Sequence, residues 1–322
     1  MKYQLLSLQE VIESSSDDID KKISEIIKDK DIMQILEGGK HLRPILACVC
    51  FKACTQGKEY LRHYQKALEG SVAVELAHAA SLVHDDIIDK DMTRRGKPAF
   101  YVENGVPHAL LTGHKMLSLG FNIALRHGSE FARLYVDSWN KIVNGELDEV
   151  NFNKNGVNDF KESHTKSQIF RVYNRIINLK TAVLFSSACK AGALEANMPA
   201  EIQKLFADYG QEIGIAYQLA DDLVDLEKNG EMIDSVVIPL LNKLDAKNLK
   251  LGYIKKRRIK KKLSRNKSKI QQFYFDEIQK HVRKAEEIIK SDLIPYSTYK
   301  DILYDMPSHI INSMLKEINV SI

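Results

Sequence analysis

Two aspartate clusters in this 322-residue chain share one spacing. LVHDDIID contains Asp85, Asp86 and Asp89, and YQLADDLVD contains Asp221, Asp222 and Asp225, each at i, i+1, i+4. Helix residues four apart share a face, so Asp85 and Asp89 project together, as do Asp221 and Asp225. Ser71 to Val83 is apolar and helical in pattern, which places the first cluster at a helix C-terminus, facing the negative end of the dipole. Clustered carboxylates there are unfavourable unless cations neutralise them. Magnesium suits such a site because it is hard, takes oxygen ligands, keeps waters and combines one or two carboxylates with substrate phosphates. One cluster alone would read as a solvated helix end. Two, each behind a mostly apolar helical stretch, point to metal-assisted chemistry on an anionic ligand.

Partners for such an anion lie close by in sequence. GGKHLRP offers a turn followed by Lys40 and Arg43, and TRRGKP places Arg94 and Arg95 just past the first aspartates. Arginine forks match phosphate oxygens, and lysine acts as a mobile point charge. No Ser/His/Asp or Cys/His arrangement suggests a nucleophilic side chain.

The elements that must carry these residues read as helices. Seven prolines and sixteen glycines punctuate the chain, apolar residues recur at helical spacing, and alternating strand runs are scarce. The expected fold class is all-α, a single-domain helical bundle over residues 1–322 with a central cavity. Ser71 to Val83, Lys180 to Ala196 and Phe206 to Leu226 are apolar enough to be buried nearly all round. Breaks are expected at Glu13 to Asp20 (ESSSDDID), Asn151 to Asp159, Glu227 to Asp234, and in a basic run. That run, Lys255 to Lys269, holds ten Lys/Arg and no acid against a net charge of +4, so the remainder of the chain is acidic. It reads as a solvated helix face or loop, with weak contact to an anionic membrane surface as the alternative, and without interleaved aromatics it does not imply nucleic acid. Cys48, Cys50, Cys54 and Cys189 lack paired CxxC spacing and read as small buried hydrophobes in a reduced, cytoplasmic setting. No apolar stretch approaches the roughly 20 residues that span a bilayer.

Over about residues 35–240 the chain resembles the trans-isoprenyl diphosphate synthases, which make farnesyl, geranylgeranyl and longer polyprenyl diphosphates. GGKHLRP is similar to that family's GGKxxRP, LVHDDIIDKDMTRRGKP to its first aspartate-rich motif with trailing arginines, and YQLADDLVD to its second. The resemblance implies the isoprenoid synthase fold, usually a homodimer. The expected reaction is magnesium-dependent, head-to-tail joining of isopentenyl diphosphate to an allylic diphosphate. It assigns Lys40, Arg43, His78 and Arg95 to isopentenyl diphosphate, and Arg94, Lys180, Thr181, Gln218 and Lys228 to the allylic diphosphate. Three magnesium ions would sit with that diphosphate and the aspartates, chiefly Asp85, Asp89 and Asp221, with Asp86, Asp222 and Asp225 completing the set. Residue types alone would make His78 a core histidine and Lys180 a surface lysine.

The resemblance also places Ala80 and Ser81 on the channel that receives the growing chain. Neither is bulky, which argues for geranylgeranyl or longer products, with Met116, Leu117 or Phe121 as a possible floor. After the second motif the chain reads LEKNGEMIDSVVIPLL, where Lys228 stands for a first loop lysine and Ser235 replaces a second. The alternatives are a class I terpene cyclase, whose metal triad would replace DDLVD, and a regulatory subunit of a heteromeric synthase, which would commonly lack aspartates retained here.

Overall fold

The computed structural model describes residues 7–155, 173–229 and 256–322. The helices are α1 (Leu8–Ile26), α2 (Lys30–Leu36), α3 (Leu42–Thr55), α4 (Leu61–Asp89), α5 (Phe100–Asn104), α6 (Val106–Arg126) and α7 (Ser129–Asn155). They continue with α8 (Val183–Glu195), α9 (Ala200–Asn229), α10 (Lys256–Ile289) and α11 (Thr298–Leu315). Among the described residues the strands are one hairpin, β1 (Thr93–Arg94) and β2 (Lys97–Pro98). The expected all-α class is therefore observed.

Two expected breaks, ESSSDDID and the basic run, are helical instead. ESSSDDID lies inside α1, where Val11, Ser15, Ile19 and Ile23 recur every four residues and are all buried. The polar residues between them face outward, and Ser7 with Glu10 forms a capping box that starts the helix. Helix α7 runs to Asn155, α9 runs to Asn229, and the basic run enters α10. Ser235 and the rest of the loop after the second motif lie outside the described residues.

The chain divides into two compact units. The first holds residues 1–139, 184–210 and 288–304. Its centre is α4, packed on α6, α3 and α1. Alanines and valines on α4 let neighbours approach, and from Ser71 to Ala77 the helix is continuously buried. Gly192 on α8 permits an equally close crossing, since a Cβ there would run into the Ala47 carbonyl oxygen. The second unit holds residues 140–183, 211–287 and 305–322. Its core gathers Tyr173, Leu219, Leu223, Tyr274, Ile278 and Ile311. All four cysteines are buried free thiols in the first unit. Burial pushes the Cys48 and Cys54 thiols up to about 12, which keeps them inert.

Candidate active site

Helix α4 ends at the first aspartate cluster, as its apolar run requires, and Lys90 closes it in the left-handed conformation. The hairpin then turns the chain back through Arg95 and Gly96, both at positive φ, as a two-residue primed turn demands. That turn aims Arg94 at the helix it has just left. Arg94 grips the buried Asp86 carboxylate through Nε at 2.8 Å and through Nη2. Burial raises the Asp86 carboxyl above its ordinary range, against the pull of Arg94. Asp85 is half-buried and Asp89 exposed, on the shared face that the i, i+4 spacing gives them.

The isopentenyl candidates occupy the same unit. Arg43 is buried near the start of α3, donates from Nη1 to His78 Nε2 at 2.9 Å, and lies 4.3 Å from the Phe185 ring centre. Arginine cannot accept, so this imidazole nitrogen must. Burial, then the Arg43 charge, pulls His78 down to about 3, which keeps it neutral. Lys40 is exposed on its glycine-led loop. Arg95 Nη1 donates to the Glu37 carbonyl oxygen at 2.9 Å, satisfying the C-terminal end of α2.

Ala80 and Ser81 are buried on α4, and Ser81 Oγ donates to the His78 carbonyl oxygen at 2.8 Å. One and two turns below Ser81 on the same face, Ala77 and Val74 line a narrow crevice of about 20 Å³ with Phe131, Leu134, Tyr135, Ser138, Leu184, Ser187 and Ala191. Met116, Leu117 and Phe121 do not line it. Tyr135, one of the residues that do, donates to the Leu117 carbonyl oxygen at 3.0 Å.

The second unit carries the remaining candidates. Asp222 is buried on α9, accepting from Tyr173 Oη at 2.5 Å and from Gln218 Nε2 at 3.0 Å. Burial, with Asp221 and Asp225 nearby, lifts its carboxyl to about 7. Asp221 and Asp225 are exposed. Thr181 donates to Gln218 Oε1 at 2.6 Å, so one glutamine joins Thr181 to Asp222. Lys180 Nζ lies 2.9 Å from Glu146 and 2.5 Å from Glu149. Lys228 belongs to the last turn of α9.

The two clusters are thus built alike within their own units. In each, the middle aspartate is buried and hydrogen-bonded from behind, while the outer pair is more exposed. These pairs offer oxygen donors alone, which fits a hard divalent cation. Among the described residues no group of three or more His, Cys, Asp or Glu side chains is placed to hold an ion alone, so diphosphate oxygens and water would complete the shell.

Several supporting residues were not singled out from sequence. Asn178–Ala182 forms a π-helical turn that carries Lys180 and Thr181. Such turns often mark functional sites, and no residue pattern announces this one. Gly145 lets α7 touch it: a Cβ there would lie 2.8 Å from Leu179 Cβ. Glu146 and Glu149, one and four residues on, were legible as acids but their partner was not. Tyr173, His41 and Glu75 are buried groups whose roles emerge through tertiary contacts.

The family described as polyprenyl synthetase matches residues 26–290. The chain is 32% identical over 247 residues to a short chain isoprenyl diphosphate synthase of Methanothermobacter thermautotrophicus, covering 72% of this chain and 71% of that one. It is 29% identical over 246 residues to a geranylgeranyl diphosphate synthase of Methanosarcina mazei, again covering 72% and 71%. The geranylgeranyl pyrophosphate synthetase structure from Pyrococcus horikoshii superposes with a TM-score of 0.75 at 23% identity, covering 94% of this chain and 97% of that one, a likeness of fold.

Proposed function

The chain belongs to the polyprenyl synthetase family of trans-isoprenyl diphosphate synthases, and from that premise we propose that it condenses isopentenyl diphosphate with an allylic diphosphate, head to tail, to geranylgeranyl or a longer prenyl diphosphate. The observation that carries this reading is the doubled aspartate cluster, each with its middle carboxylate anchored and its outer pair turned outward.

In this reading Lys40, Arg43, His78 and Arg95 hold isopentenyl diphosphate. Arg94, Lys180, Thr181, Gln218 and Lys228 hold the allylic diphosphate. Asp85, Asp89 and Asp221 chiefly, with Asp86, Asp222 and Asp225, hold magnesium, which when bound would offset the charge that develops on the departing diphosphate. Arg94 and Lys180 stabilise the same charge with fixed cations, the arrangement that favours ionisation of a carbon–oxygen bond. Neutral His78 accepts from Arg43 and so fixes the guanidinium. An allylic cation has to be kept from water by apolar side chains, and Val74, Ala77, Leu134 and Leu184 supply an apolar crevice within the first unit. The isopentenyl double bond then attacks that carbon, and the proton lost in forming the new double bond goes to the released diphosphate.

Product length rests on Ala80 and Ser81, whose small side chains leave room. The differing names of the relatives, short chain in one and geranylgeranyl in another, accord with a length set by local bulk. Among the described residues no helix is long and apolar enough to cross a membrane. A cytoplasmic homodimer, with weak membrane contact through the basic segment 255–269 and no nucleic-acid role, completes the proposal. Asp85→Asn and Asp221→Asn test the metal assignment. Each should lower the magnesium-dependent rate by about 100-fold or more, the scale of losing a stabiliser of developing charge, and full activity in either would overturn it.

A further inference from the structure

His41 opens α3 in an unusual state. It is a non-glycine residue with φ 45°, and its side chain does not cap the helix, although its carbonyl oxygen accepts from the Ile45 amide at 2.9 Å. The side chain is engaged elsewhere, almost wholly buried at 5% exposure. Nδ1 lies 3.1 Å from Glu75 on α4, and Nε2 lies 3.1 Å from Asp20 on α1. Glu75 is itself buried at the centre of the unit, whereas Asp20 is largely exposed, so the Glu75 contact carries most of the energy. Nδ1 makes a hydrogen bond with the Glu75 carboxylate, and the Asp20 carboxylate at ion-pair distance from Nε2 favours a proton on that nitrogen as well. The side chain is thus a cationic rivet that fastens GGKHLRP to α1 and α4, with Lys40 beside it and Arg43 two residues on.

We propose that His41 is a positioning residue for the isopentenyl diphosphate site, holding the Lys40–Arg43 loop through its bridge between Glu75 and Asp20. This rests on the assignment of Lys40 and Arg43 to that diphosphate. The titratable and charged groups facing His41 are Asp20 from α1, Glu75 from α4 and Arg95 from the hairpin, with Arg43 and His78 acting on Glu75. The two carboxylates outweigh burial and Arg95, holding the imidazole above its usual range, while Glu75 is held below its own despite burial. Sign follows directly. The clamp is complete below the ordinary histidine value and is lost as pH rises through the elevated one. A neutral ring then turns a lone pair toward one carboxylate, and the loop loosens.

The test measures KM for isopentenyl diphosphate and for the allylic substrate between about pH 6 and 9, in the wild type, His41→Arg, His41→Asn and Glu75→Gln. His41→Arg keeps a fixed cation with a two-carboxylate reach, so ionisation of the substrate itself cancels in its ratio to wild type. The wild-type KM for isopentenyl diphosphate should climb about tenfold relative to His41→Arg across this range, the scale of a lost charge-assisted hydrogen bond. His41→Asn should be weak at every pH, Glu75→Gln should move the rise to lower pH, and the allylic KM should stay level. A ratio that is flat with pH overturns the proposal, as does an unmoved midpoint in Glu75→Gln, which decides the matter should His41→Arg not fold. Lys40→Ala separates the two layers: if it leaves the isopentenyl KM unchanged, the site assignment fails, and a flat His41 ratio beside a raised Lys40→Ala KM removes the clamp alone.

Discussion

Gly145→Ala places a single methyl group where the structure has none to spare. The new Cβ would stand 2.8 Å from Leu179 Cβ and 3.1 Å from both the Leu179 carbonyl carbon and the Lys180 nitrogen. Carbon atoms rest about 3.5–4.0 Å apart, so the π-helical turn must retreat by roughly 0.7 Å or more. Backbone, not a flexible side-chain tip, has to move. Overpacking of this kind costs about 1–3 kcal/mol. The displaced turn carries Lys180 and Thr181, and it would drag Lys180 away from Glu146 and Glu149. A misplacement near 1 Å can cost on the order of 100-fold in rate, so kcat/KM for the allylic substrate should fall by about 10- to 100-fold. The isopentenyl KM should hold within about twofold, because Lys40 and Arg43 lie on a different unit and a surplus effect there would signal global damage. Steady-state kinetics with each substrate varied in turn, beside thermal melts by circular dichroism, read both effects. Wild-type melting and unchanged allylic kcat/KM would refute the reasoning that Gly145 is there to seat the turn.

Two further outcomes follow from buried groups. Ala80→Phe should shorten the products, measured by chromatography of the hydrolysed prenyl alcohols, and an unchanged length distribution would refute that placement of the channel. Asp222→Asn removes a carboxyl lifted to about 7, whose folding contribution is present below its unfolded value and is lost as pH rises through 7. In chelator the melting temperature of Asp222→Asn should therefore gain on the wild type as pH rises from about 5 to 9, by an amount limited by the weakened Tyr173 or Gln218 bond. A difference that does not change with pH would count against the buried, unneutralised carboxylate.

How far the sequence could carry this account depends on where each cause lies. The doubled aspartate spacing was readable because helical periodicity alone puts Asp85 with Asp89 and Asp221 with Asp225. What it hid was the anchoring of the middle residues. Asp86 meets Arg94 only because a hairpin folds back, and Asp222 meets Tyr173 from 49 positions away. ESSSDDID reads as a break by composition, because three serines and three aspartates outweigh Ile19, whereas the four-residue spacing from Val11 to Ile23 decides the helix. Lys180 and Thr181 were identified through resemblance, but the π-helical turn and the Gly145 crossing that seat them are matters of backbone proximity. His41 stood in the middle of a recognised motif and carried no signal of its own, since both of its partners come from other helices.

The most direct measurement is incubation of the purified chain with labelled isopentenyl diphosphate and dimethylallyl, geranyl or farnesyl diphosphate in turn, with magnesium or with chelator, followed by chain-length analysis. The account requires elongation that depends on magnesium and reaches geranylgeranyl length or beyond. Folded protein that elongates none of the three starters in magnesium would contradict it.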